Sequence, residues 1–554
     1  MRSRGRSSLH APPPLPIHHP ITSTHNNKQQ HKPPPPSRNI TTMFATIDNI
    51  LVKHTPPWYR TPKMQTATLG IVFFWVFAAY TTIQFYSAST YGSELAADTV
   101  CAVYLTFTLT CLVSPGIINK WGCRLSMFFG VLGYASLVLT SLIYFLYGGE
   151  NVIWSRRLVV LGGAVLGCGA STLWTAQGRL VLQYASRAEE LEYASYASSD
   201  QIRQSGDEKS SKPKSTHTGT LMGLFWAIFQ CSSLVGGSIS FLYYNQKPEG
   251  STALYSLFLA FIIMGALSTQ LLLPPSMLEN DMPNNKNLLV NKQKDLEMIT
   301  NNEQTPLNAD AGAEYITRGE SPLLTDNGRI MCEELSCQSW RQEAQGTLNM
   351  FFTKRMLCLS PLFFYTGFNQ PYQQATFGNR FFTRRTIGAE LIIFHLMEIV
   401  GAIVVGRFLD RDDHTSDTSR RKRAIACLTA FVVINCAGNV LAVMQEYSSQ
   451  QNITSIVAHD ISDPSVISPS LAFACWGFAD AQIQVYCYWL MGSFYSSGSD
   501  HSRAVGWYKC VQSLGTSIGF YLIPTSRLSE MSQLACSSVV FIIGSALSFT
   551  QLPS

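Results

Sequence analysis

Twelve stretches of about 20 mostly apolar residues recur along this 554-residue chain, and they restrict its solvent before they restrict its fold. They run over 67–87, 99–118, 125–147, 158–178, 219–243, 253–273, 356–376, 388–408, 424–444, 468–494, 504–523 and 533–551. At about 1.5 Å per residue, a helix of that length crosses a hydrocarbon layer about 30 Å thick. A large soluble protein can bury one or two such helices, but it has no interior for a dozen. The low charge content agrees: Asp, Glu, Lys and Arg make up 14% of the chain, against roughly 25% in ordinary soluble domains. The sequence therefore predicts an all-α integral membrane protein.

Four fragments occur twice in the same order, which points to a duplication. QFYSASTYGS from Gln84 answers QPYQQATFGN from Gln370, at an offset of 286. PGIINK from Pro115 answers GRFLDR from Gly406 (offset 291), LWTAQG from Leu173 answers FADAQI from Phe478 (305), and WAIFQCS from Trp226 answers YKCVQSL from Tyr508 (282). With six spans on each side of the duplication, the repeats are parallel. Two six-helix halves follow, over 57–274 and 351–554, joined by a polar cytosolic linker at 275–350. Residues 1–56 are basic, Pro-rich and acid-free before Asp48, a composition that cannot bury a core and predicts a disordered tail. The tail also fits an organelle presequence, or a start upstream of Met43 or Met64. A further polar stretch at about 184–218 is too long for a simple turn.

The net charge of +5 does not indicate nucleic acid, because its cations gather in particular loops. Lys120, Arg124, Lys354, Arg355, Arg407, Arg411 and the run Arg420–Arg423 place those loops inside, and both termini with them, with Arg156, Arg157, Arg380, Arg384 and Arg385 as outer exceptions. Asn452-Ile453-Thr454 is a glycosylation acceptor that falls outside in this topology, whereas Asn39 falls inside. The membrane is left open between plasma membrane and endomembrane. The 14 cysteines sit mostly in apolar spans as small packing residues, and Cys332 and Cys337 lie in the linker. There is no zinc spacing, phosphate-binding loop, His-Glu-x-x-His or Gly-x-Ser-x-Gly, so no metal, cofactor or enzyme chemistry is expected. The acidic run Asp410, Asp412, Asp413 and Asp417 lacks the glycine of a calcium loop and reads as solvated.

Gly406-Arg407-Phe408-Leu409-Asp410-Arg411 resembles the opening of the major facilitator signature, and it follows span eight as that family requires. The first-half copy follows span two and is degenerate. Pro115 replaces the leading Gly and Asn119 the Asp, while Lys120, Gly122 and Arg124 keep the basic positions and the second Gly. Within that superfamily QFYSASTYG, LWTAQG, WAIFQCSSLVGG, GFADAQIQ and YKCVQS resemble the uncoordinated-93-like branch over about 57–551. The resemblance implies a major facilitator fold of about twelve helices. It leaves activity open, since relatives include a regulatory subunit of a potassium channel, a trafficking chaperone of receptors, and proteins described as transporters or in ion homeostasis.

In such a fold spans one, four, seven and ten line a central cavity. Gln84, Gln177, Asn369, Gln370, Gln373, Asp480, Gln482 and Gln484 then lie near mid-membrane. Unpaired polar groups in lipid cost several kcal/mol each, so these residues face protein or a wet cavity, and helix-to-helix adhesion is the plain alternative. Asp480 stands opposite Thr175 in the repeat, so one half alone carries the acid, and an intramembrane acid is a candidate for binding a cation or carrying a proton. Lys509, opposite Ala227, is its tempting partner, but at about 1.5 Å per residue the two differ by about 13 Å in height, and Lys509 alternatively snorkels to the cytosolic face. His395 and Glu398 lie one turn apart in span eight and form either a proton-linked or a structural pair. Two functions follow: movement of a small solute or cation by alternating access, or a non-transporting subunit that regulates or escorts another membrane protein such as a channel.

Overall fold

The computed structural model describes residues 55–147, 152–203, 216–246, 252–279, 339–411, 417–451, 458–523 and 527–553. The expected tail, Asn452, the Cys332/Cys337 pair, Asp412 and Asp413 lie outside the described residues.

Helices account for nearly all of the described chain. In order they are α1 (Pro62–Tyr91), α2 (Ser93–Cys111), α3 (Ser114–Trp121), α4 (Cys123–Leu146), α5 (Ile153–Arg203), α6 (Thr218–Gln246), α7 (Thr252–Ser268), α8 (Trp340–Phe351), α9 (Lys354–Gln370), α10 (Gly378–Phe381), α11 (Arg384–Leu409), α12 (Asp417–Gln451), α13 (Ile467–Phe494), α14 (Gly498–Leu522) and α15 (Glu530–Phe549). A π-helical segment, Pro371–Phe377, joins α9 to α10. Every expected span has its helix. Nine of them are long and apolar enough to cross a membrane by composition alone. The other three are α9, cut to 17 residues where the π-helical segment begins, and α13 and α14, whose Asp480, Gln482, Gln484, Lys509 and Gln512 dilute the apolar signal.

The duplication is visible in which helices touch. In the first group α1 packs on α6 and α7, α2 and α4 pack on α5, and α4 also meets α7. In the second, α9 packs on α14 and α15, α11 and α12 pack on α13, and α12 also meets α15. The contacts between the groups obey the same relation, since α6 meets α11 and α2 meets α14. Small residues permit these approaches. A Cβ built on Gly130 of α4 would lie 2.8 Å from the Gly169 carbonyl oxygen of α5.

The burial pattern is that of a protein dissolved in lipid. Leu109, Leu161, Val433 and Met444 are 57%, 58%, 61% and 62% exposed, while Gln177 and Asp480 are 0% and 1% exposed. Apolar side chains point outward and polar ones inward, because only the interior offers hydrogen-bond partners.

Two expected connections contain structure. The polar stretch from 184 is helical to Arg203 as the end of α5, with Tyr184 fully buried and its hydroxyl donating to the Leu273 carbonyl at 2.7 Å. The expected linker contains α8, started by a capping box of Ser339 and Gln342. Both were hidden by composition, since an amphipathic helix at a membrane surface is as polar as a loop.

Candidate functional site

A buried polar chain links α6 of the first group to α11, α13, α9 and α14 of the second. It begins on α6, where Gln230 Nε2 donates to Glu398 Oε2 of α11 at 2.6 Å. His395, one turn before, meets the same oxygen through Nδ1 at 2.7 Å. Glu398 also faces the carboxyl of Asp480 on α13. Asp480 Oδ2 accepts from Gln484 Nε2 at 2.8 Å, and Gln370 at the end of α9 also reaches this carboxyl. Asp480 Oδ1 is buried and receives no conventional donor.

From Gln484 the chain passes to α14. Tyr508 OH and Gln512 Nε2 donate to Gln484 Oε1 at 3.2 and 3.3 Å, and Gln512 Oε1 accepts from Lys509 Nζ at 2.8 Å. Lys509 is therefore joined to Asp480 through two amides and makes no direct ion pair with it. Nor does it reach toward a surface. It is 3% exposed, with its ammonium 4.3 Å from the Trp174 ring centre and 4.8 Å from that of Tyr508. Those ring faces carry the negative side of the quadrupole and suit an ammonium removed from water. Trp174 comes from α5, as does Gln177, whose Oε1 accepts from Tyr488 OH at 3.4 Å.

Pro371 shapes the α9 side of this site. It stands where the first half has Phe85, and α1 runs unbroken through that point. Pro has no N–H to donate, and here the helix widens to π geometry over Pro371–Phe377. Asn369 Oδ1, just before the widening, and Gln373 Oε1, within it, are buried acceptors without a donor, and so is Gln482 Oε1 on α13. A buried polar group left unpaired costs about 1–3 kcal/mol, so four such oxygens, Asp480 Oδ1 included, are expensive.

Gln84 stays apart from this group. Its Nε2 lies 3.5 Å from Tyr104 OH, and it lines a cavity of about 20 Å³ with Tyr80, Ile83 and Thr99. That volume admits about one water. A second cavity of about 10 Å³ lies beside Tyr372 and Gln533.

The two signature loops make equivalent contacts. Asp410 is buried, against the expectation of a solvated acidic run. Its Oδ2 accepts from Thr220 N at 2.6 Å and its Oδ1 from Thr216 Oγ1 at 2.9 Å, which caps the start of α6. Burial pushes its carboxyl up to about 6. Asn119 meets the residue equivalent to Thr220: its Oδ1 accepts from Ser502 Oγ at the start of α14, at 2.6 Å. Gly406 packs on Gly219, whereas Pro115 packs on Gly506, so in the first copy only the partner helix supplies a glycine. Gly122 has φ 81°, a left-handed conformation that favours glycine, as it ends α3 and starts α4. Lys120 lies 5.1 Å over the Trp340 ring, Arg124 is buried, and Arg411 is exposed.

Comparison with known proteins fits this geometry. A family model described as "Ion channel regulatory protein UNC-93" matches residues 97–197 and 205–550. The chain belongs to the UNC-93 family. Among UNC-93 relatives, "UNC93-like protein 1" of Arabidopsis thaliana is 24% identical over 86% of each chain. "UNC93-like protein MFSD11" of Xenopus laevis is 22% identical over 82% of this chain and 88% of its own. The solved structure of the proton:xylose symporter XylE bound to 6-bromo-6-deoxy-D-glucose aligns with a TM-score of 0.55 at 12% identity, over 90% of this chain and 96% of that one. A bacterial homologue of the iron transporter ferroportin aligns at 0.52 and 9%, over 88% and 99%. This UNC-93 protein is therefore a multi-pass membrane protein with the major facilitator fold.

Gln230, Gln512, Tyr508 and Trp174 were missing from the sequence-derived candidates. The signal for the two glutamines was present, since Gln230 and Gln512 are equivalent in the fourth repeated fragment and each donates to the polar chain.

Proposed function

We propose that this UNC-93 family protein is a transporter of major facilitator type that moves a small solute or cation in exchange or symport with protons, contributing to ion or solute homeostasis. The proximity of the buried Glu398 and Asp480 carboxyls carries the proposal, since two acids on neighbouring helices can hold a proton between them. A proton shared by two helices that meet different neighbours can be taken up or released as those helices part. The buried acceptors Gln373 Oε1 and Gln482 Oε1 support a ligand that presents positive charge or hydrogen-bond donors. In this reading the signature loops face the cytosol, and no catalytic step is involved.

A second reading has its own support. The matching family model is described as an ion channel regulatory protein, and the first signature loop has lost its acid at Asn119. In that reading the protein is a non-transporting subunit that regulates or escorts a channel or other membrane protein. The test is the purified chain alone in liposomes under imposed potassium and proton gradients, beside mild-detergent purification from its native membrane. Flux above empty liposomes supports the transporter. Absence of flux with a stoichiometric membrane partner supports the regulatory subunit.

A further inference from the structure

The two signature loops differ in chemistry but not in the contact they make, and the difference is made good from elsewhere in the chain. Asp410 brings a carboxylate to the start of α6. At the equivalent place Asn119 brings a neutral amide to the start of α14, where Arg503 and Arg179 present guanidinium groups. The missing acid arrives on α8. Glu343 is 1% exposed, and its Oε2 accepts from Asn119 Nδ2 and from Arg503 Nη2, both at 3.0 Å. Asn119 Oδ1 in turn accepts from Arg179 Nη1 at 3.0 Å. One carboxylate from outside both halves thus binds α3 on one side and α14 on the other.

The rest of α8 seats it there. Trp340 at its start stacks under Lys120 of α3, and Phe351 at its end packs on Trp507 of α14 with ring centres 4.7 Å apart. Gly346 lies against the Arg503 guanidinium, where an added Cβ would fall 2.8 Å from Cζ.

We infer that α8 is a detachable latch on the contact between α2–α3 and α14, with Glu343 supplying in trans the acid that the first signature loop lacks. A buried ion pair between elements is strong only while both partners are in place. Parting α3 from α14 therefore requires α8 to leave one of them, and whatever displaces α8 loosens this end of the molecule. The second contact, between α6 and α11, carries its acid on the loop itself and has no such control. The latch serves a transporter and a regulatory subunit alike, so it stands independently of the proposed activity.

The test uses cysteines already in the chain. Cys510 on α14 is buried at the α2 contact, with its Sγ 3.5 Å from the Thr108 carbonyl, and Cys427 on α12 is buried elsewhere. In the full chain in nanodiscs, Glu343→Gln should raise the maleimide alkylation rate of Cys510 at least fivefold, with Cys427 unchanged within twofold. Arg503→Gln, an independent variant, should move Cys510 in the same direction. Adding Asn119→Asp to Glu343→Gln returns the acid to the loop and should restore most of the protection. An unchanged Cys510 rate in both single variants overturns the latch. So does an equal rise at Cys427, which would mean general loosening, or failure of Asn119→Asp to restore protection.

Discussion

Gly406→Ala perturbs the α6–α11 contact at a point where the outcome can be worked from the backbone. A Cβ on Gly406 falls inside contact distance of the Gly219 carbonyl oxygen, with the carbonyl carbon 2.9 Å away, and a Cβ on Gly219 would meet Gly406 O at 2.8 Å. Both neighbours are backbone, so no side chain can turn aside, and the helices must separate by on the order of 1 Å. Overpacking of this kind costs about 1–3 kcal/mol. At 1.4 kcal/mol per factor of ten, local opening becomes about 5- to 150-fold more frequent. Amide hydrogen exchange over 216–223 reads this directly, because Thr220 N–H is tied to Asp410 only while the contact is closed. Gly130→Ala is the matched control: its Cβ meets Gly169 O at 2.8 Å within the first group, so it should lower the unfolding temperature without changing exchange over 216–223. Equal exchange in Gly406→Ala and the wild type, or an equal rise in both variants, would refute the assignment of this contact as the point of parting.

Three further outcomes follow from the same geometry. Glu398→Gln keeps an acceptor for Gln230 and a donor for Asp480, so it should fold with an unfolding temperature near the wild type while flux is lost. Trp174→Ala removes a ring packed on Phe73, Phe77 and Phe229 as well as the face over Lys509, and calorimetry in detergent should show a loss of about 3–5 kcal/mol. Asp410 should make the α6–α11 contact pH-sensitive. Its carboxyl, pushed up to about 6 by burial, reverts toward 3.8 when exposed, so opening releases a proton. The closed contact is then fully favoured below 3.8 and weakens as pH rises through about 6. Glu189 faces this carboxyl and is itself flanked by His217 and Arg420, and exchange over 216–223 in Asp410→Asn should lose the pH dependence expected of the wild type between pH 4 and 7.

Sequence reasoning reached the helices and their pairing because both are written in periods longer than a single contact. A dozen apolar stretches specify spans, and four repeated fragments specify that a contact such as α2 with α14 has a counterpart in α6 with α11. Asp480 was legible for a simple reason: a carboxylate opposite Thr175 is costly wherever lipid surrounds the helix. What it touches was not legible. The ring beneath Lys509 comes from Trp174, more than 300 positions away, and no spacing within α14 announces it. Gln84 was drawn into the candidate ring by its equivalence to Gln370, yet its amide lies beside Tyr104. Asp410 looked solvated because its neighbours are charged, whereas the uncapped start of α6 buries it. Glu343 was the least visible of all, one acid in a polar segment whose meaning depends on an acid missing at Asn119.

The central claim is that the Asp480–Glu398 pair carries the proton that drives movement through the second half. Potassium and proton flux should be compared in liposomes holding the purified wild type, Asp480→Asn or Glu398→Gln, each checked for folding by its elution profile. The account predicts flux above empty liposomes for the wild type and its loss in both variants. Flux that survives in either variant, or a well-folded wild type that moves neither ion under imposed gradients, would contradict it.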